Sequence, residues 1–80
     1  MTKIIEANNA ALAFMALQNK HGAVVKTSRS EGGWEVCVEV MEESEFIKAL
    51  KIPTVVQEKN LYELKLDDNL DVVSFQRVTR

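Results

Sequence analysis

Few residues of this 80-residue chain could perform chemistry, and the first of them is its single cysteine, Cys37. Cys37 could act as a nucleophile, with His21 as the only histidine available as its base. A catalytic cysteine needs a lowered pKa, but Glu35 and Glu39 flank Cys37 on one face of a predicted strand, and nearby negative charge raises a thiol pKa. We therefore predict an inert thiol, a structural role for His21 at a helix end, and no catalytic residue.

Metal and cofactor sites need groups of residues that this sequence does not supply. A zinc site uses three or four Cys, His or carboxylate ligands, so one cysteine and one histidine are too few. Glu42, Glu43 and Glu45 stand close together, but consecutive acids at a strand end or in a first helical turn are typical of a solvated cap. Residues 31–33 lack the spacing of a phosphate-binding loop. We expect no metal and no cofactor.

Length and composition indicate one small domain over residues 1–80, because a chain of this size builds a single core. Apolar residues make up 46% and charged residues 28%, as in folded soluble proteins. Ten basic and twelve acidic side chains give a net charge of -2, which favours neither nucleic acid nor a membrane surface as a partner. The longest apolar run, residues 10–17, is far shorter than the roughly 20 residues that span a bilayer. With no export signal and a lone cysteine, we expect a cytoplasmic protein.

The first half of the chain predicts a helix followed by a β-hairpin. Residues 2–20 are rich in alanine and place most large apolar residues on one side of a helical wheel. Lys20 and His21 suit a helix C-terminus, and Gly22 can take the left-handed conformation that closes it. Residues 23–30 and 33–43 then predict two strands, and the period of two puts Trp34 and the following valines on one face as core.

The second half predicts a short helix and a second hairpin. Ser44 can cap a helix over residues 45–51, and Pro53 ends it. Two more strands surround a polar turn at residues 67–69; on one of them Tyr62, Leu64 and Leu66 share a face, and on the other Val73 and Phe75 do. The predicted fold class is α+β, with the N-terminal helix packed on one face of a small antiparallel sheet of three to four strands.

Three further positions are candidates for contacts. Phe46 and Leu50 form an apolar edge that could dock a partner, although packing on the protein's own sheet is the simpler expectation. Simple alternation puts Arg77 on the face of Val73 and Phe75, where a buried arginine must be paired. Either Arg77 forms an ion pair with a glutamate at the end of the sheet, which we favour, or a bulge rotates it outward.

The chain contains an alanine-rich helix, a proline, and the segments "GGWEVCVEVMEE" and "YELKLDDNLDVVSFQRVTR". Together these features resemble the gas vesicle protein GvpO family. The likeness runs from about residue 10 to residue 80, and the family's strand, proline and hairpin positions fall on Trp34, Val36, Val38, Glu39, Val40, Glu42, Pro53, Tyr62, Glu63, Leu64, Leu66, Asp67, Phe75, Arg77 and Arg80. The chain departs from the family pattern in three places. Residues 44–51 make a longer link, Leu70 replaces a turn glycine, and Thr79 replaces a basic residue.

This resemblance implies a noncatalytic accessory protein for gas vesicle formation, cytoplasmic and associated with gas vesicles. Its partners would be other gas vesicle accessory proteins, and the sequence leaves the oligomeric state and the identity of the direct partner open. The alternative is a small regulatory or inhibitory protein-binding domain of the PepSY type, which shares the layout of a helix on an antiparallel sheet. The residues that we expect to contact a partner are Glu35, Glu39, Phe46, Leu50, Arg77 and Arg80.

Overall fold

The computed structural model describes residues 2–43, 49–51 and 57–78. In these residues, α1 (Thr2–Leu17) is followed by the strands β1 (Gly22–Ser30), β2 (Gly33–Glu43), β3 (Gln57–Asp67) and β4 (Val72–Val78). The strands form one antiparallel sheet in which each pairs with its neighbour in sequence, in the order β1-β2-β3-β4. Helix α1 packs on one face, here called the inner face. The predicted α+β fold is therefore confirmed.

The core lies between α1 and the inner face of the two central strands. Alternate residues of β2 and β3 point inward, as the period of two requires, and Trp34 is buried there as predicted. Tyr62, Leu64 and Leu66 share this face, which confirms a second prediction. The buried apolar residues are Ala7, Ala11, Met15, Trp34, Val36, Val38, Val40, Tyr62, Leu64 and Leu66. Outside the core, the Thr27 hydroxyl of β1 donates a hydrogen bond to Asn8 of α1 and so fixes the helix over the sheet.

The C-terminal end of α1 differs from the prediction. The helix ends at Leu17, and Asn19, with a φ of 61°, takes the left-handed conformation that follows it. The prediction that Gly22 closes the helix is wrong, because Gly22 already begins β1, opposite Val40. A side chain at Gly22 would collide with the Glu39 carbonyl, so a glycine is needed here for the close approach of two strands.

Each edge strand is interrupted by one extra residue. In β1 the extra residue is Val25, and in β4 it is Val73, where the register with β3 shifts. Both valines are exposed, by 53% and 65%. The prediction that Val73 shares a face with Phe75 is wrong, because the bulge turns Val72 toward the core in its place. Such bulges also disrupt the open main-chain edges along which another strand could pair.

The turn between β3 and β4 is held by one carboxylate. Asp67 Oδ1 accepts hydrogen bonds from the main-chain N–H groups of Asn69 and Asp71, at 2.9 and 3.0 Å. Leu70 completes the turn with a φ of 67°, in the left-handed region that glycine enters without steric cost. The turn glycine of the family pattern therefore corresponds to a left-handed residue in this chain.

Candidate functional site

The face of the sheet that lies opposite α1, here called the outer face, contains the acids that were predicted to contact a partner. Glu35 and Glu39 lie on it, half-buried, on either side of Cys37. Glu35 Oε1 is 4.0 Å from Lys65 Nζ on β3, which is a loose and partly exposed ion pair. Such a pair contributes little to stability, so these carboxylates remain available for contacts.

Cys37 lies on the outer face between Lys26 of β1 and Glu63 of β3. Partial burial raises the pKa of its thiol, as do the charges of Glu63 and Glu35, while Lys26 opposes the rise. His21 precedes β1 and is five residues from Lys26, which is about 16 Å along an extended strand. The geometry thus gives Cys37 no histidine base and disfavours the thiolate.

A half-buried polar cluster on the inner face was not predicted. Its centre is the carboxylate of Glu42, near the end of β2, which accepts a hydrogen bond from Lys20 Nζ at 2.6 Å. Asn60 Nδ2 donates to the other carboxylate oxygen at 2.9 Å, and the Tyr62 hydroxyl donates to the same oxygen. These four residues, here called the Glu42 cluster, join the connection between α1 and β1 to both central strands.

The charge of Glu42 is strongly stabilised. Partial burial acts to raise its pKa, but the hydrogen bonds from Lys20, Tyr62 and Asn60, together with the positive charge of Lys20, outweigh it and lower the pKa from 4.5 to about 2. The carboxylate in turn raises the pKa of Lys20. Burial, and next the bond to Glu42, raise the pKa of Tyr62. The Glu42 cluster is therefore an ion pair of Lys20 and Glu42 with two neutral hydrogen-bond donors, Asn60 and Tyr62. Such an arrangement stabilises the fold and is not suited to proton transfer.

Aromatic rings extend the Glu42 cluster toward β4. The Tyr62 ring stacks on Phe75 with 5.3 Å between ring centroids, and Phe14 of α1 meets Phe75 edge-on at 5.2 Å. Lys20 Nζ lies 5.1 Å from the centroid of the Tyr62 ring, within the range of a cation–π contact. The helix, its following loop and three strands thus meet in one set of contacts.

The prediction that Glu42 belongs to a solvated cap is wrong. Every second residue of β2 points inward, and Glu42 follows Val36, Val38 and Val40 in that series. This spacing of two is the sequence signal from which the inward position of Glu42 could have been predicted. A carboxylate at the end of an inward-facing row needs a cation or hydrogen-bond donors, and Lys20 supplies the cation.

The remaining predicted contact residues lie apart from one another. Arg77 is opposite Tyr62 in register and is exposed, and no ion pair within the described residues involves it, so the favoured pairing with a glutamate is not seen there. Arg77 lines an open cleft of about 360 Å³ with Glu39, beside the end of β4. Leu50 is 53% exposed, whereas Phe46, Arg80 and most of the predicted helix over residues 45–51 lie outside the described residues.

Metal and membrane features can be stated for the described residues only. Residues 2–43, 49–51 and 57–78 contain no group of three or more His, Cys, Asp or Glu side chains that could hold a metal ion. Within the same ranges, no helix has the length and apolar character needed to cross a membrane.

The fold and its contacts define a small α+β protein in which one helix packs on a meandering sheet beside an ion-pair cluster, and no helix or strand of the described residues covers the outer face of that sheet. The sequence model described as "Gas vesicle synthesis protein GvpO" matches residues 1–80, the whole chain. The chain therefore belongs to the GvpO family of gas vesicle synthesis proteins, as its motifs had indicated. No curated protein and no solved structure shows significant similarity to it.

Proposed function

We propose that this protein is a noncatalytic accessory factor for gas vesicle formation that acts in the cytoplasm by binding other gas vesicle accessory proteins. The observation that carries this proposal is the match of the GvpO family to residues 1–80. The geometry of Cys37, with its raised thiol pKa and no nearby histidine, supports a role without covalent chemistry.

The outer face is the contact surface that we assign to this role. Its central strands present Glu35, Glu39 and Glu63 beside Lys65, and α1 covers only the opposite face. Charged side chains of both signs on an open face favour partner selection and encounter rate more than raw affinity.

The function is tested first by deletion and complementation in a vesicle-forming host. Deleting the gene should abolish or reduce vesicles, and the unaltered chain supplied from a plasmid should restore them. The Cys37→Ser variant should restore them equally well, because the proposal gives the thiol no reaction. Normal buoyancy in the deletion strain would refute the role in vesicle formation, whereas failure of the serine variant alone would refute its noncatalytic character.

The contact surface is tested by reversing charges on the outer face. The double variant Glu35→Lys/Glu39→Lys should remain folded but should fail to restore vesicles, and should no longer retain accessory proteins in affinity purification. The matched control is Glu31→Lys/Asp71→Lys, which makes the same change in net charge at two exposed turn positions. Equal complementation by both variants would refute the assignment of this face. Recovery of a protease or sensor protein in place of vesicle proteins would refute the proposed partners.

A further inference from the structure

The open cleft beside the end of β4 lies along an edge of the sheet and not on one of its faces. Its lining includes four consecutive residues of β3, 58–61, together with Arg77 and Val78 at the end of β4. Consecutive residues of a strand point to opposite faces, so a cleft that all four line must open along the edge of the strand. Its volume of about 360 Å³ lies in the range of ligand-binding clefts.

Strand β3 continues beyond the last residue of β4 with which it pairs. Leu61 is opposite Val78, and within the described residues nothing pairs with residues 57–60 on that side. On the other side, the same four residues pair with β2 without a register shift. The described residues thus leave a regular part of the β3 edge open, whereas bulges interrupt the edges of β1 and β4.

The main-chain groups that point to this open side can be identified from the turn between β3 and β4. The Asp67 N–H donates to the Asp71 carbonyl, so Asp67 directs its main-chain groups toward β4. In an antiparallel sheet this direction alternates from one residue to the next. Every second residue before Asp67 therefore points the same way, and these residues include Leu61, Lys59 and Gln57. Lys59 and Gln57 each present an N–H and a carbonyl to the open edge.

The side chains next to this edge are charged and differ in sign. Glu58 is on the inner face, directly opposite Glu42, whose charge is already paired with Lys20. Lys59 is on the outer face, opposite Met41. No ion pair within the described residues involves Glu58 or Lys59. An added strand would therefore be favoured by a base opposite Glu58 and an acid opposite Lys59.

We propose that an extended segment of a partner protein adds to this edge of β3, in line with β4 and antiparallel to β3. Its residue opposite Lys59 is acidic, and its next residue, opposite Glu58, is basic. Main-chain hydrogen bonds to Lys59 and Gln57 give affinity, and the order of acid and base gives specificity. The sequence of this chain does not match that order, because a simple continuation of β4 would put Arg80 opposite Lys59. The edge is separate from the outer face, and peptide binding there neither requires nor excludes the role in vesicle formation.

NMR titration of the full chain with capped synthetic hexapeptides tests the strand addition. The peptide Thr-Val-Glu-Lys-Val-Thr has the required order of charges and should shift the amide resonances of residues 57–60. The peptide Thr-Val-Lys-Glu-Val-Thr, with the two charges exchanged, should bind roughly fivefold more weakly. In the double variant Glu58→Lys/Lys59→Glu this preference should reverse. Equal binding of the two peptides to the original chain, or binding of neither, would overturn the proposal.

N-methylation of the peptide distinguishes strand addition from simple charge attraction. A methyl group on the glutamate nitrogen of the first peptide removes the N–H that donates to the Lys59 carbonyl, so binding should be lost. A methyl group on the lysine nitrogen should have a much smaller effect, because that N–H points away from β3. Equal effects of the two methyl groups would refute pairing along the strand.

Hydrogen exchange in the chain alone tests whether the edge is open. The Lys59 amide should exchange rapidly and should become protected when the first peptide is added. The Leu61 amide, opposite Val78, and the Asn60 amide, which points to β2, should be protected in both states. Protection of the Lys59 amide without peptide would mean that the chain's own residues cover the edge, and it would overturn the proposal.

Discussion

Replacing Glu42 by glutamine should destabilise the protein through the loss of one charge. The substitution keeps the shape of the side chain and an oxygen that can accept from Tyr62 and Asn60, but it leaves Lys20 without its ion-pair partner. The Glu42 side chain is 23% exposed, so its interaction with Lys20 is shielded from water to a large extent. We expect a lower free energy of unfolding without a change of fold.

The magnitude follows from the pKa of Glu42. A fall from 4.5 to about 2 corresponds to ~3 kcal/mol as an upper bound, because one pKa unit is about 1.4 kcal/mol. Residual exposure screens the charges, which reduces the expected loss to roughly 1–2 kcal/mol. For a domain of this size, such a loss lowers the melting temperature by roughly 5–15 °C.

The pH dependence provides a second measurement. The folded-state pKa is depressed, so the contribution of Glu42 is complete above the unfolded value of 4.5 and is lost as the pH falls toward about 2. Urea denaturation of the original chain and of Glu42→Gln should therefore show a constant difference from pH 7 to pH 5. Below pH 4.5 that difference should shrink.

The control for this prediction is Glu39→Gln, which makes the same chemical change on the same strand but on the outer face, away from the Glu42 cluster. It should change the free energy of unfolding by less than about 0.5 kcal/mol. Equal losses in the two variants, or a difference that stays constant down to pH 2, would refute the reasoning about the Glu42 cluster.

Three other predictions follow from the core, the thiol and a close strand approach. Met15→Ala should lower the free energy of unfolding by about 2–5 kcal/mol, measured by urea denaturation, because Met15 is fully buried and its removal leaves a cavity. The pH midpoint for alkylation of Cys37 should lie above that of an ordinary thiol, and Glu63→Gln should lower it; an unchanged midpoint would contradict the assigned cause. Gly33→Ala should destabilise the fold more than Gly32→Ala, because a side chain at Gly33 meets a carbonyl of β3 whereas Gly32 has open space and only a strained φ of 77°. Thermal unfolding of the two glycine variants tests that order.

The fold could be predicted from local sequence patterns to a large extent. The alternation that includes Trp34, Val36 and Val38 fixes which side of β2 is buried, because a slip of one residue would expose all of them. The likeness to the GvpO family could be recognised from the order and spacing of residues such as Pro53 and Arg77. The family match over residues 1–80 confirms it.

The features that depend on contacts between distant parts of the chain could not be read from local patterns. The bulge at Val73 was missed, because the pairing of β4 with β3 determines where an extra residue is accommodated. The helix end was misplaced for a similar reason: Gly22 has the residue type of a helix cap, but pairing with β2 recruits it into a strand.

The sequence by itself determined the fold class, the buried side of β2 and the family, because each of these depends on residue type and spacing along the chain. Only the tertiary structure decided the role of Glu42, since its partners Lys20 and Tyr62 are 22 and 20 residues away and meet it only after the helix packs on the sheet. The same packing decided that α1 presents Ile5 and Leu17 to solvent, because it selected the side of the helix with Ala7, Ala11 and Met15 for the core.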